Sequence, residues 1–200
     1  MLRAVLVCFI VFFVAAEAKT TAVDDLCGAV GSIRSRYGDH VTREQCMSVL
    51  CHGSPSPCAA ARDAPSLATL AARLTVANAT ATREFVKATL ATYPVYGDDD
   101  DRSNATVAEE EAKAGLRSCL ELYTRAVPAL EWAAGSVAAG RYRGAREVVN
   151  ATHFVTVACE GIFYDATRQA VSKVDGGFFV MSAVASSILE FLLMNTTRVA

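Results

Sequence analysis

Cys119 and Cys159 lie 40 residues apart, twenty to either side of Ala139, and Ala139 falls in a stretch with two glycines, Ala138 to Gly144, that reads as a turn. On both flanks apolar residues recur at steps of three and four, the spacing of a buried helical face. If two antiparallel helices meet at that turn, each cysteine sits roughly 30 Å from it at 1.5 Å of rise per residue. The two thiols are then level with one another, as the short reach of a disulfide requires. A bond from Cys119 to Cys159 should stabilise the fold by about 4 kcal/mol in the chain-entropy model of loop closure.

Whether thiols pair depends on the compartment, and the N-terminus bears on that. Arg3 precedes an apolar run, Ala4 to Ala16, and Ala16-Glu17-Ala18 has the small-x-small form of a signal-peptidase site, so cleavage is expected after Ala18. The run is short for a membrane span, and no later stretch of about 20 apolar residues is expected to replace it, so no membrane association is expected. Cys8 departs with the leader and leaves six cysteines, Cys27, Cys46, Cys51, Cys58, Cys119 and Cys159, in an exported and therefore oxidising setting. Four Asn-x-Ser/Thr sequons, at Asn78, Asn104, Asn150 and Asn195, are glycosylation acceptors that fit the same route. The mature region 19–200 suffices for one domain. A formal charge of −2 gives no reason to expect a nucleic-acid partner.

The segment 19–62 is broken by cysteines and by Gly53, Pro55 and Pro57, and reads as short helices and turns stapled by sulfur. Four long helical patterns follow within 63–195. The first starts near Pro65, carries Leu67, Leu70, Leu74, Ala77, Ala81, Phe85 and Ala88 on its expected inner face, and stops before Pro94. A polar loop with the run Asp98 to Asp101 leads to the second, from about Ala105, with Leu116, Leu120, Tyr123, Val127, Leu130, Ala134 and Val137 inward and a kink expected at Pro128. The third carries Val148, Thr152, Val155, Cys159, Ile162 and Ala166. The fourth is expected to begin after Asp175-Gly176-Gly177 and carries Met181, Val184, Ile188 and Leu192. The fold class is all-α, an up-and-down four-helix bundle behind a disulfide-stapled N-terminal extension.

Other chemistries fit less well. Cys46, Cys51, His52 and Cys58 can be drawn as a zinc site, but export favours disulfides and the spacing is that of no metal knuckle. The aspartate run lacks the spaced ligands and glycine of a calcium loop. Three scattered histidines, His40, His52 and His153, with no nucleophile elbow or phosphate loop, argue against an enzyme; His153 is expected at the edge of a helix. No cofactor is implied.

The stretch Leu116-Arg117-Ser118-Cys119-Leu120-Glu121-Leu122-Tyr123-Thr124-Arg125-Ala126, the step to Cys159, Cys46-Met47-Ser48-Val49-Leu50 and Leu67 to Leu74 together resemble the plant invertase and pectin methylesterase inhibitor family. The resemblance implies a bundle behind a helical hairpin, with one disulfide in the hairpin and one between bundle helices. It implies Cys27 with Cys46, which leaves Cys51 with Cys58, although four cysteines by themselves allow three pairings. The hairpin departs from the family: Cys27 and Cys46 stand 19 apart, wider than usual, and Cys51 and Cys58 are extra.

The resemblance further implies a secreted protein of the cell wall or apoplast that occludes a carbohydrate-active enzyme in a 1:1 complex. Invertase inhibitors of the family carry Pro-Lys-Phe between the second and third bundle helices; here that position reads Tyr142-Arg143-Gly144. Tyr142 matches the tyrosine common in pectin methylesterase inhibitors, and Arg143 keeps the cation. Of the acidic positions those inhibitors use after the first bundle cysteine, Glu121 fills the first, Arg125 and Pro128 the next two, and Ala158 replaces a threonine before Cys159. The target-binding residues implied are Glu121, Arg125, Tyr142 and Arg143, with the turn Arg141 to Arg146 in the contact. Pectin methylesterase is the expected target, acid invertase the alternative, and a non-inhibitory structural or storage protein the reading from another class.

Overall fold

The computed structural model describes residues 22–33, 41–52, 57–92, 105–162 and 166–196. The expected leader, the expected loop around Asp98 to Asp101, and Asn104 lie outside the described residues. Helix α1 covers residues 22–31, and α2 spans Arg43–Cys51. A 3-10 turn at Pro57–Ala60 leads into the bundle helices α3 (Ala64–Thr92), α4 (Ala105–Ala138), α5 (Tyr142–Ile162) and α6 (Ala166–Thr196). Each bundle helix packs against two others, α3 on α4 and α6, and α5 on α4 and α6, which is the up-and-down arrangement. The described residues contain no strand.

Local chemistry starts and stops these helices. Thr42 and Gln45 form a reciprocal capping box on α2, with Gln45 N donating to Thr42 Oγ1 at 3.1 Å and Thr42 N to Gln45 Oε1 at 2.9 Å. At the head of α3, Asp63 Oδ1 accepts from Ser66 N at 2.8 Å while Ser66 Oγ accepts from Asp63 N at 3.1 Å. Hydrogen bonding from Ser66 to the Asp63 carboxyl, its side chain first and its backbone N–H second, holds that carboxyl below its ordinary range. The turn between α4 and α5 is only Ala139 to Arg141, shorter than the expected Ala138 to Gly144. Gly140 takes φ +74°, Arg141 N bonds Ser136 O and Gly140 N bonds Val137 O, each at 2.9 Å, the Schellman arrangement that a left-handed glycine permits.

The disulfides pair Cys119 with Cys159 across α4 and α5, Cys27 with Cys46 across α1 and α2, and Cys51 with Cys58 between α2 and the 3-10 turn, at Cα separations of 5.0, 5.5 and 4.9 Å. Inside the bundle Tyr123 and Phe178, both fully buried, meet edge to face with ring centroids 5.5 Å apart.

Three expectations are corrected. The buried arc of α3 is Leu67, Ala68, Ala71, Ala72, Thr75, Ala79, Thr82 and Val86, whereas Ala77, Ala81 and Ala88 are exposed. Small residues let α3 approach its neighbours closely, and Thr75 and Thr82 enter because their hydroxyls bond back to Ala71 O and Asn78 O at 2.8 and 3.0 Å. The boundary between the last two helices falls between Ile162 and Ala166, so Ala166 opens α6, and Gly176 and Gly177 are helical. A Cβ on Gly177 would come within 3.3 Å of Asn78 Oδ1, so this glycine marks a close approach of α6 to α3. Third, Gly176–Thr196 is long and apolar enough to cross a membrane by length and composition, with mean hydropathy 1.9, contrary to the expectation that no such stretch follows the leader. Half of it is buried inside the bundle, the pattern of a core helix.

Helix α4 continues unbroken through Pro128. Pro128 is exposed, and so is Thr124, whose carbonyl loses its usual donor, so water can satisfy the group that the proline leaves open.

A polar seam fixes α5 against α6. Arg146 binds Glu190, Ser186 Oγ donates to Asn150 Oδ1, and His153 Nδ1 lies 2.8 Å from Ser182 Oγ. Positions 146, 150 and 153 thus descend one helix as 190, 186 and 182 descend the other, an antiparallel register that a slide of either helix would break in all three places.

Candidate functional site

Glu121, Arg125, Pro128 and Trp132 follow one another at steps of four, three and four along α4, and all four are exposed. Glu121 and Arg125 form an ion pair at 2.5 Å, with side chains 64% and 78% exposed. A pair that open to water contributes little stability, which leaves both charges available to a partner. Trp132 is 56% exposed, and its Cη2 would be 3.3 Å from a Cβ on Gly144, so the indole lies against the first turn of α5. The α4 stripe therefore continues onto α5, where Tyr142 is half-buried against the core and Arg143 is exposed.

The four expected contact residues are not one cluster. Taking Cys119 as level with Cys159, Arg143 stands opposite residue 135, which puts it about 21 Å along the bundle axis from Glu121 and about 15 Å from Arg125. Trp132 fills the interval. Sequence reasoning passed over it, although the chain's single tryptophan stands seven residues beyond Arg125 on the same face. By the same register, Phe154 and Val157 on α5, 44% and 52% exposed, lie close to the level of Arg125 and Glu121.

The turn contributes less than expected. Arg146 is turned inward, its side chain 13% exposed, and is bound to both Glu147 and Glu190, which raise its pKa further above an already high value, Glu147 contributing most. Arg143 makes no ion pair among the described residues and is presented to solvent beside Tyr142, as is Arg141 on its other side.

His153 is also corrected: it is 6% exposed, not at a helix edge, and stacks on Phe179 at 4.2 Å while bonding Ser182. Cys46, Cys51 and Cys58 are spent in disulfides and offer no thiolate to a metal. Among the described residues no group of three His, Cys, Asp or Glu is placed to hold a metal ion.

Two of the sequons point into helix contacts. Asn78 is half-buried against α6, and Asn150 lies in the α5–α6 seam. Asn195 is exposed on the last turn of α6.

No curated protein and no solved structure matches the chain significantly. One family model, described as plant invertase/pectin methylesterase inhibitor, matches residues 21–188. The match starts at α1, covers the three disulfides and the α4–α5 face, and ends within α6; the chain belongs to the plant invertase/pectin methylesterase inhibitor family.

Proposed function

We propose that this chain is an exported inhibitor that docks the α4–α5 face onto a pectin methylesterase and occludes its substrate cleft without covalent chemistry. Its family supports an inhibitor of pectin methylesterase or invertase. The observation that carries the reading is the continuous exposed stripe from Glu121 and Arg125 through Trp132 to Arg143, built on two helices tied by Cys119–Cys159. Rigid helices lose little conformational entropy on docking, so affinity is not spent on ordering the site. Exposed tryptophan and arginine are the side chains that most often dominate such contacts. Tyr142 and Glu121 favour the esterase, by resemblance to its inhibitors.

A second reading, acid invertase, is favoured by Arg143 alone, an exposed cation at the position where invertase inhibitors place their lysine. Titration of the oxidised chain against a plant pectin methylesterase and a cell-wall acid invertase, in parallel near apoplastic pH, separates the two. Loss of esterase activity alone supports the proposal. Loss of invertase activity alone supports the second reading, and retention of both activities favours a structural or storage role.

A further inference from the structure

We infer that the Cys51–Cys58 bond is a thiol-exchange site, opened and closed by an external thiol or dithiol while the fold persists, and that the other two disulfides are structural. The three bonds differ in what stands between their sulfurs and solvent. Cys27, Cys46, Cys119 and Cys159 are all 0% exposed, so a thiolate reaches those bonds only when α1 parts from α2 or α4 from α5. Cys51 is half-buried and lines an open cleft on α2, whose other lining residues run from Arg43 to His52. Its partner Cys58 is 9% exposed.

The bonds differ as well in what they hold. Cys27–Cys46 and Cys119–Cys159 each tie two helices together, across 19 and 40 residues of chain. Cys51–Cys58 spans 7 residues, from the last residue of α2 to the 3-10 turn. In the chain-entropy model the shortest loop contributes the least stabilisation. Both elements that it joins are secured without it. Helix α2 keeps its Thr42–Gln45 capping box and the Cys46 bond. The head of α3 keeps the reciprocal bonds of Asp63 and Ser66, and Leu67 and Ala68 are buried in the bundle.

Exchange here needs no reagent beyond the thiol. A thiolate attacks Cys51 Sγ, the sulfur of the residue that lines the cleft, and forms a mixed disulfide. The original S–S bond breaks, and Cys58 leaves as a thiolate that takes a proton from water. A second thiolate, or the second thiol of the same dithiol, then attacks the reagent's sulfur in the mixed disulfide, and Cys51 leaves and is protonated. The protein disulfide thus gains two electrons and two protons, and two reagent thiols lose them in becoming a disulfide. A reagent disulfide runs the sequence backwards.

The test treats the oxidised chain with dithiothreitol under native conditions, alkylates samples with iodoacetamide at intervals, and maps the labelled cysteines by peptide mass spectrometry. Circular dichroism on the same samples reads helicity. Cys51 and Cys58 should be labelled first, about tenfold faster or more, because the other four wait on local opening of the helices. Helicity should be unchanged at that stage. Earlier or simultaneous labelling at Cys27, Cys46, Cys119 or Cys159 overturns the inference, as does loss of helicity in step with label at Cys51. Cys58→Ser and Cys51→Ser, each exposed to oxidised glutathione, read which sulfur is attacked. The Cys51 thiol of the first should take up glutathione faster than the Cys58 thiol of the second; equal or reversed rates overturn that assignment.

Discussion

The indole of Trp132 on α4 lies against the backbone of Gly144 on α5, so close that a methyl group there would come within 3.3 Å of its Cη2. Because Trp132 is 56% exposed, the ring can swing outward at little cost. Gly144→Ala should therefore gain up to about 1 kcal/mol from helix propensity, not lose stability. Gly177→Ala meets Asn78 Oδ1 at the same 3.3 Å, and that carboxamide is tethered by the bond from its Nδ2 to Leu74 O, so it has less freedom to give way than the indole. It should destabilise by about 1–2 kcal/mol. Urea unfolding of both variants decides; equal effects of the same sign would refute the distinction.

Ser182 Oγ donates to Phe179 O at 2.9 Å, so its oxygen accepts from His153 Nδ1, and the imidazole is assigned the tautomer with hydrogen on Nδ1. Ser182→Ala leaves that buried donor without its acceptor. The expected loss is about 1–3 kcal/mol in urea unfolding. A loss below half a kcal/mol, on the order of a neutral surface change, would mean the bond contributes nothing net.

The lowered pKa of Asp63 has a defined sign. The folded state holds the carboxylate more tightly than the unfolded chain, so the stabilisation is fully present above the unfolded Asp value of about 3.9 and disappears as pH falls through the folded value. Asp63→Asn keeps a capping oxygen but removes the titration. Melting temperatures of the two proteins should therefore converge as pH is lowered below the carboxylate range. Curves that stay parallel from neutral to acid pH would show that Asp63 is not the responsible group.

Replacing Cys119 and Cys159 together by alanine opens a 40-residue loop. Stability should fall by about 4 kcal/mol, the chain-entropy value, with the other two disulfides retained. Thermal unfolding without reductant measures it, and a loss under 1 kcal/mol would place the stabilisation elsewhere.

Trp132→Ala and Arg143→Glu remove what the α4–α5 face presents to a partner. Neither residue is in the core, so helicity and melting temperature should be unchanged. If the face is the docking surface, a tryptophan hot spot corresponds to about 2 kcal/mol, roughly a thirtyfold rise in the inhibition constant. Trp132 is the chain's only tryptophan, so its emission should shift when target is added to the wild type. Unchanged emission and unchanged inhibition would remove this face from the contact.

The sequence alone determined the helical class, the antiparallel α4–α5 pair and the Cys119–Cys159 bond, because these follow from periodicity along the chain and from distance to a turn. The inward face of α4 was legible for the same reason: Leu116, Tyr123, Val127, Leu130 and Val137 are large, apolar and buried. The face of α3 was not, because Ala68, Ala72, Ala79 and Thr82 carry weak signals one at a time, and their burial depends on how closely two neighbouring helices come. Gly176 and Gly177 looked like a break, and the approach of Asn78 to Gly177 is a contact between helices that no local pattern displays. Register between helices was the part no linear pattern contained. Arg146, Asn150 and His153 read separately as the end of a contact turn, a glycan acceptor and a histidine at a helix edge. They became one partly buried seam when α6 set Glu190, Ser186 and Ser182 opposite them, because polar groups leaving water must find partners, and those partners lie some 30 to 45 residues away.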